Sequence, residues 1–140
     1  FLAYRTERYN IKGKDVIAGN CKYYLNDLSF KNFLYPGFSY GVGYLLENAV
    51  YLELRQSGYS VYVGAIRDKE VDFVAMKDDR VIYLQTTYML ETEQTIEREY
   101  SPLLSIKDNY EKYVVSVDEI QLPSKEGIRN IQVWNLNEIL

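Results

Sequence analysis

The sequence predicts a three-layer α/β domain of the α+β kind, with helices packed on a central mixed sheet. Three observations predict it. Apolar residues recur at helical spacing through one long stretch, three strand-like runs follow it directly, and a second helix with further strand-like runs comes after them. With 140 residues and 47% apolar composition, the chain can bury a real core.

Taken in order, Lys22 to Asp27 reads as a short strand and Leu28 to Leu34 as a short helix capped by Asp27 or Ser29. Pro36-Gly37 closes this opening segment. From Gly41 to Ser57, residues such as Val42, Leu45, Leu46, Val50 and Leu54 recur at helical spacing, and Gly58 stands where a left-handed C-cap is wanted. Tyr59 to Ala65 and Lys69 to Met76 are strands joined by the Arg67-Asp68 turn, and Arg80 to Met89 follows the Asp78-Asp79 turn as a third. Glu91 to Leu104 reads as the second helix, with Pro102 limiting its end. Lys112 to Val117 and Ile128 to Trp134 supply further strands, the first buried on both faces, and Asn135 caps a last short helix to Leu140.

Composition excludes whole classes of chemistry. The chain has no His, so it holds no Ser/His/Asp or Cys/His relay, no HExxH zinc site and no imidazole base. The single Cys21 permits no internal disulfide and no CxxC metal ribbon, and reads as a small core thiol of a reducing compartment. No apolar run approaches the roughly 18 residues of a membrane span, and the opening FLAYRTERYN is not a signal peptide. No GxxxxGK[ST] loop is present. Because the chain starts at Phe1, it is expected to be a piece of something longer.

The net charge is −4, against strong stand-alone binding of nucleic acid. The charge is uneven: residues 1–35 carry six Lys/Arg and three Asp/Glu, whereas residues 91–119 carry three and eight. Any nucleic acid would therefore favour the N-terminal segment, where the Lys12-Gly13-Lys14 turn is a candidate phosphate contact. The Glu91 to Glu99 helix reads as a solvated acidic face, with Glu97, Arg98 and Glu99 able to include an ion pair. The 15 tyrosines are dispersed at core-like spacing, which favours hydrogen-bonded core and rim positions over a base-stacking stripe.

Candidate site residues emerge from buried charge. Glu47 lies mid-helix among Gly43, Tyr44, Val50, Tyr51 and Leu54, where a carboxylate must be paired, protonated or cation-bound. Acceptance of tyrosine hydroxyls is the structural alternative. By the period of two along a strand, Glu70 and Asp72 share a face with Val74 and Met76, and Gln85 and Thr87 share a face on the next strand. A meander then puts Asp72, Gln85 and Thr87 side by side, and Glu47 joins them if its helix covers that face.

This arrangement resembles the PD-(D/E)xK, or restriction-endonuclease-like, nuclease superfamily: a helix bearing Glu, a strand bearing Asp, then a strand bearing (D/E/Q)-x-K. Gly43-Tyr-Leu-Leu-Glu47-Asn-Ala-Val50, running on to Gly58-Tyr-Ser-Val61, looks like the first helix and strand of its Holliday-junction-resolvase-like members. A closer resemblance covers nearly the whole chain. Arg8-Tyr-Asn-Ile-Lys-Gly-Lys14, Lys22-Tyr-Tyr, Leu45-Leu-Glu-Asn48, Tyr51-Leu-Glu-Leu54, Glu70-Val-Asp-Phe73, Glu97-Arg-Glu99 and Ile106-Lys-Asp-Asn-Tyr110 look like the C-terminal domain of prokaryotic AAA-type P-loop ATPases, usually placed in that superfamily.

The resemblance implies a restriction-endonuclease-like fold with a helix-strand-strand-strand-helix-strand core over residues 39–140. Residues 1–38 would be a segment of strand plus short helix connecting to an upstream ATPase module. Glu47, Asp72 and Gln85 would ligate Mg²⁺, which activates water and stabilises charge on the scissile phosphate. Thr87 stands where active members put a lysine, and Gln85 replaces a carboxylate, so weak or absent Mg²⁺ binding is expected. Glu70 is the candidate substitute for the carboxylate, and Lys69 or Lys77 for the lysine. The expected function is a catalytically degenerate, cytoplasmic DNA- or protein-binding module with no membrane contact, capable of forming a homo-oligomer. The alternatives are an active Mg²⁺-dependent DNA endonuclease and a pure interaction domain.

Overall fold

The computed structural model describes residues 2–34, 36–37 and 41–140. The expected division of the chain between residues 38 and 39 lies outside the described residues. The described strands are β1 (Ala3–Asn10), β2 (Asp15–Leu25), β3 (Ser60–Ile66), β4 (Lys69–Lys77), β5 (Arg80–Thr86), β6 (Glu111–Ser116) and β7 (Ile128–Gln132). They form one mixed sheet in the order β2-β1-β3-β4-β5-β6-β7. The β3-β4-β5 meander is antiparallel, whereas β1 joins β3, and β6 and β7 extend the other side, in parallel. The helices are α1 (Ser29–Leu34), α2 (Val42–Gln56) and α3 (Glu93–Leu104).

Helix ends follow their local chemistry. The Asp27 carboxylate accepts from the Ser29 amide and hydroxyl, at 2.8 and 2.6 Å, which fixes the start of α1. Gly58 adopts φ +88°, and the Tyr59 amide donates back to Leu54 O at 3.0 Å, so α2 stops at the expected glycine. Thr92 caps α3 by accepting from the Thr95 amide, so the helix starts at Glu93, two residues after the expected Glu91.

Three layers result. On one face of the sheet, Leu46, Val50, Tyr51 and Leu54 of α2 bury against Phe73, Ala75, Ile82, Leu84 and Val115. On the other, Tyr100 and Leu103 of α3, with Ile106 just beyond it, cover Ile66, Val71, Val74, Tyr83, Val114 and Ile128. Each burial removes a large apolar surface from water, and Leu54, Phe73 and Leu103 are fully enclosed.

The sequence expectations fail in three places. Residues 1–38 contribute two strands, not one, and β1 is missing from the expectation because its exposed Arg5 and Glu7 alternate with polar Thr6 and Arg8. β2 is an edge strand, mostly exposed and carrying Gly19 and Asn20, so it lacks an apolar face over most of its length. β5 ends at Thr86, not Met89, because the chain peels away: Val117 N–H donates to Tyr88 O, and Leu90 N–H to the Asp118 carboxylate. At the C-terminus, Val133–Glu138 forms a 3-10 helix, where a strand to Trp134 and a helix from Asn135 were expected.

Candidate functional site

Two contacts fix the edge strand β2 against α2 and so build the site. Tyr51 of α2 stacks on Tyr24 of β2 with ring centroids 4.2 Å apart and planes 14° from parallel. Asn48, one turn earlier, accepts from Leu25 N–H at 2.8 Å and donates to Leu25 C=O at 2.9 Å. With β2 clamped this way, the Tyr24 hydroxyl donates to Glu47 Oε1 at 2.7 Å, and Lys22 Nζ reaches the same oxygen at 3.0 Å. The tyrosine-acceptor expectation for Glu47 thus holds, but a lysine shares the carboxylate.

Lys22 Nζ also lies 2.8 Å from Glu70 Oε1 and 4.0 Å from Asp72 Oδ1. Arg8 of β1 holds the other Glu70 oxygen at 2.6 Å. Three carboxylates from α2 and β4 therefore surround one ammonium from β2, beside a cavity of about 340 Å³ lined by Lys22, Tyr23, Tyr44, Leu45 and Glu47. Among the described residues no three acidic side chains are gathered as a metal ion would gather them. Their shared cation is Lys22.

A bulge explains how Asp72 arrives there. Tyr62 pairs with Val74 and Gly64 with Val71, so Asp72 and Phe73 together oppose the single residue Val63. The extra residue lets Phe73 join the core under α2 while Glu70 and Asp72 keep the same side. Val74 and Met76, expected on the Asp72 face, pack instead in the α3-side core. The β4-β5 ladder ends at Phe73↔Leu84, and side chains replace it beyond that point. Asp72 Oδ2 accepts from the Thr86 amide and hydroxyl, both at 2.8 Å.

The bulge parts Asp72 from Gln85, because β5 has no irregularity of its own and keeps strict alternation. Ile82 and Leu84 belong to the α2-side core and Tyr83 to the α3-side core, so Gln85 follows Tyr83 toward α3. There its Nε2 donates to Glu99 at 3.2 Å, and its Oε1 accepts from the Asp72 amide at 3.2 Å. Gln85 therefore touches the Asp72 main chain, not a shared carboxylate cluster. Glu99, expected on a solvated face, is 8% exposed and paired with Arg98 at 2.8 Å. Thr87 lies past the end of β5, buried, with its amide donating to Val115 O at 3.0 Å. The residue next to Asp72 is Thr86, not Thr87.

The other named residues sort by face. Glu70 joins the cluster, as the substitute reading expects. Lys69 does not: its ammonium donates to Ser101 and Ser105 hydroxyls on the α3 side, at 2.5 and 3.3 Å. Lys77, at the far end of β4, donates to Ser57 O. Lys12 and Lys14 lie in the β1-β2 turn and line a cavity with Arg67 and Lys107. Lys22, Arg8, Tyr24 and Asn48 received no role from the sequence, and Thr86 was expected only to offer its main-chain carbonyl, or Leu84 its own, to a metal, whereas its amide and hydroxyl hold Asp72. Their signal was present in Lys22-Tyr-Tyr and Arg8-Tyr-Asn-Ile, but nothing local shows that β2 lies beside α2.

The electrostatics follow from burial and crowding. Burial and the nearby Glu47 charge push Asp72 up to about 7, against the bonds from Thr86 and the pull of Lys22. Burial works to lower the Lys22 pKa, but the Glu70 hydrogen bond and the Glu47 and Asp72 charges outweigh it and raise it above the usual lysine value. Burial opposes ionisation of Glu70, yet the hydrogen bonds and charges of Lys22 and Arg8 hold it below its usual value. Lys22 is therefore a firm cation, whereas Asp72 carries charge the site does not fully balance.

Comparisons with known proteins add one relative. The chain is 35% identical over 133 residues to a Haemophilus influenzae protein described only as uncharacterized. The match covers 95% of this chain and 32% of that protein, so the chain spans about a third of the length of the curated relative it matches. No family model and no solved structure matches the chain.

Proposed function

We propose that this chain is a phosphodiester-cleaving module of restriction-endonuclease-like architecture, one part of a longer ATPase-containing protein acting on DNA in the cytoplasm. The observation that carries it is the meeting of Glu47, Glu70 and Asp72 around the Lys22 ammonium, at 3.0, 2.8 and 4.0 Å. The α2-β3-β4-β5-α3-β6 order supports the architecture. The one-third coverage of the relative agrees with a module in a larger chain.

The grounds for expecting a degenerate site were Gln85 and Thr87, and neither side chain belongs to this cluster. Glu70 supplies the third carboxylate and Lys22 the lysine. The donor set fits Mg²⁺, which binds through one or two hard carboxylates and keeps several waters. Glu47 and Asp72 would hold it, since the bonds above engage Glu47 through Oε1 and Asp72 through Oδ2. When bound, the cation supplies charge stabilisation at phosphate and a more acidic water.

The chain's own residues do the rest. Thr86 fixes the Asp72 rotamer, and Tyr24 fixes Glu47. Lys22, held charged, presents a donor to a phosphate oxygen or to the attacking water. Lys22 and, behind it, Arg8 keep Glu70 ionised, and Glu70 in turn helps hold the Lys22 ammonium in place.

One observation favours a second reading, a spent site that only binds: Lys22 already neutralises the carboxylates that would take the metal. Incubation of the full-length protein with Mg²⁺ or Mn²⁺ and branched, single- and double-stranded DNA separates the two. Cleavage is expected, lost in Asp72→Ala and slowed about 10²- to 10⁴-fold in Lys22→Met. Intact DNA with both metals sinks the catalytic reading and leaves the binding one.

A further inference from the structure

On the α3 side of the sheet, two adjoining cavities of about 480 and 300 Å³ share Arg67, Ser105 and Lys107. Together they are lined by six basic residues, Lys12, Lys14, Arg67, Lys69, Lys107 and Lys125, against three acidic ones. These six come from four separate segments: the β1-β2 turn, the β3-β4 turn with the start of β4, the stretch after α3, and the loop before β7. All but Lys69 are exposed. In a chain of net charge −4, such a concentration is a marked local excess.

The six cations are also unneutralised. Among the described residues, the ion pairs with carboxylates are made by other lysines and arginines. Lys69 bonds to the Ser101 and Ser105 hydroxyls, and Lys107 to Leu104 O at the end of α3. The negative end of the α3 dipole accounts for Lys107, but not for Lys12 and Lys14 on a turn between two strands. The groove and the carboxylate cluster lie on opposite faces of the sheet at the same end of β4, since the consecutive residues Lys69 and Glu70 face opposite sides, one toward Ser101 and the other toward Lys22.

We propose that this groove is the track for the phosphate backbone of a nucleic acid, which passes around the β3-β4 turn to the carboxylate site. A chain of evenly spaced negative charges is the polyanion that loosely spaced, unpaired lysines and a forked arginine suit. The choice of nucleic acid over other polyanions rests on the phosphodiester reading above.

The test is fluorescence anisotropy of the full-length protein with a labelled 30-nucleotide DNA, single-stranded and duplex, without divalent metal. With about six phosphate contacts, affinity should fall roughly 10³-fold between 50 and 200 mM salt. Lys12→Ala/Lys14→Ala/Arg67→Ala/Lys107→Ala removes exposed side chains only, so its unfolding temperature should match the wild type. Its affinity at low salt should drop at least about tenfold, and its log-log salt slope should flatten by about 3 to 4. An unchanged slope and affinity overturns the groove, as does polyglutamate competing as well as DNA, which would point to an acidic protein. Groove-dependent binding without cleavage in Mg²⁺ or Mn²⁺ removes the catalytic reading and keeps the groove, whereas cleavage by a protein whose quadruple variant binds normally does the reverse.

Discussion

Asp72 shows how much a single residue depends on its surroundings. It is 9% exposed, bonded twice to Thr86, and close to both a cation and a second carboxylate, with burial the largest influence on it. Its folded pKa of about 7 stands above its usual 3.8, so the folded state binds its proton more tightly than the unfolded state. Stability from this group is therefore complete below pH 3.8 and is lost as the pH rises toward 7. Asp72→Asn cannot ionise, so it should gain stability relative to the wild type through that window and hold the gain above it. Thermal unfolding of both proteins from pH 4 to 8 checks this, and a pH-independent difference would show that Asp72 is not under strain from burial. At this scale the sequence was half legible. Buried acids are visible in Glu47 and Asp72, because charges within apolar runs stand out. Lys22 is not, because a lysine on an edge strand looks like any other surface lysine until its neighbour across space is known.

Among the elements, β4 carries the most information per residue. Its bulge at Asp72-Phe73 changes which side chains face α2, and alternation counted from the sequence cannot detect it. The three α-helices, β3 and β4 were legible to within two residues, whereas the end of β5 was not, nor that Gln85 faces away from the carboxylates. β1 and most of β2 escaped for another cause: their apolar content is low, and they are held by main-chain pairing and by clamps from α2 and β3. Close packing near the bulge is testable. A Cβ on Gly64 would lie 2.9 Å from Val74 Cγ2 and 3.0 Å from both Ile11 Cδ1 and Val71 Cβ. Gly64→Ala should therefore cost about 1–3 kcal/mol in urea unfolding. Gly43→Ala, in α2 with no atom within 4 Å of its new methyl, should stabilise by up to about 1 kcal/mol. Equal effects at the two positions would refute the close approach at Gly64.

For the molecule as a whole, β1 and β2 are part of the sheet and supply both cations, Arg8 and Lys22, that hold Glu70. The described helices include none long and apolar enough to cross a membrane. If the carboxylates take a divalent cation, the folded state alone should bind it. Mg²⁺ or Mn²⁺ at about ten times its dissociation constant should then add about 1.4 kcal/mol, or roughly 4 °C in unfolding temperature. Asp72→Ala should show no such shift, and a wild type equally indifferent to metal would remove the cation site. The origin of the cluster also sets when it can form. Arg8 and Glu70 lie 62 residues apart in the chain, and Lys22 and Glu47 lie 25 apart. Contacts of such sequence separation close large loops, so forming them costs chain entropy that local contacts do not. The parallel pairing of β1 with β3 likewise depends on the long crossover through β2 and α2 that joins them. The cluster is thus assembled from four distant stretches of chain, and its charges meet only where β1, β2, α2 and β4 are all in place, so its integrity reports on the whole fold and not on any single element.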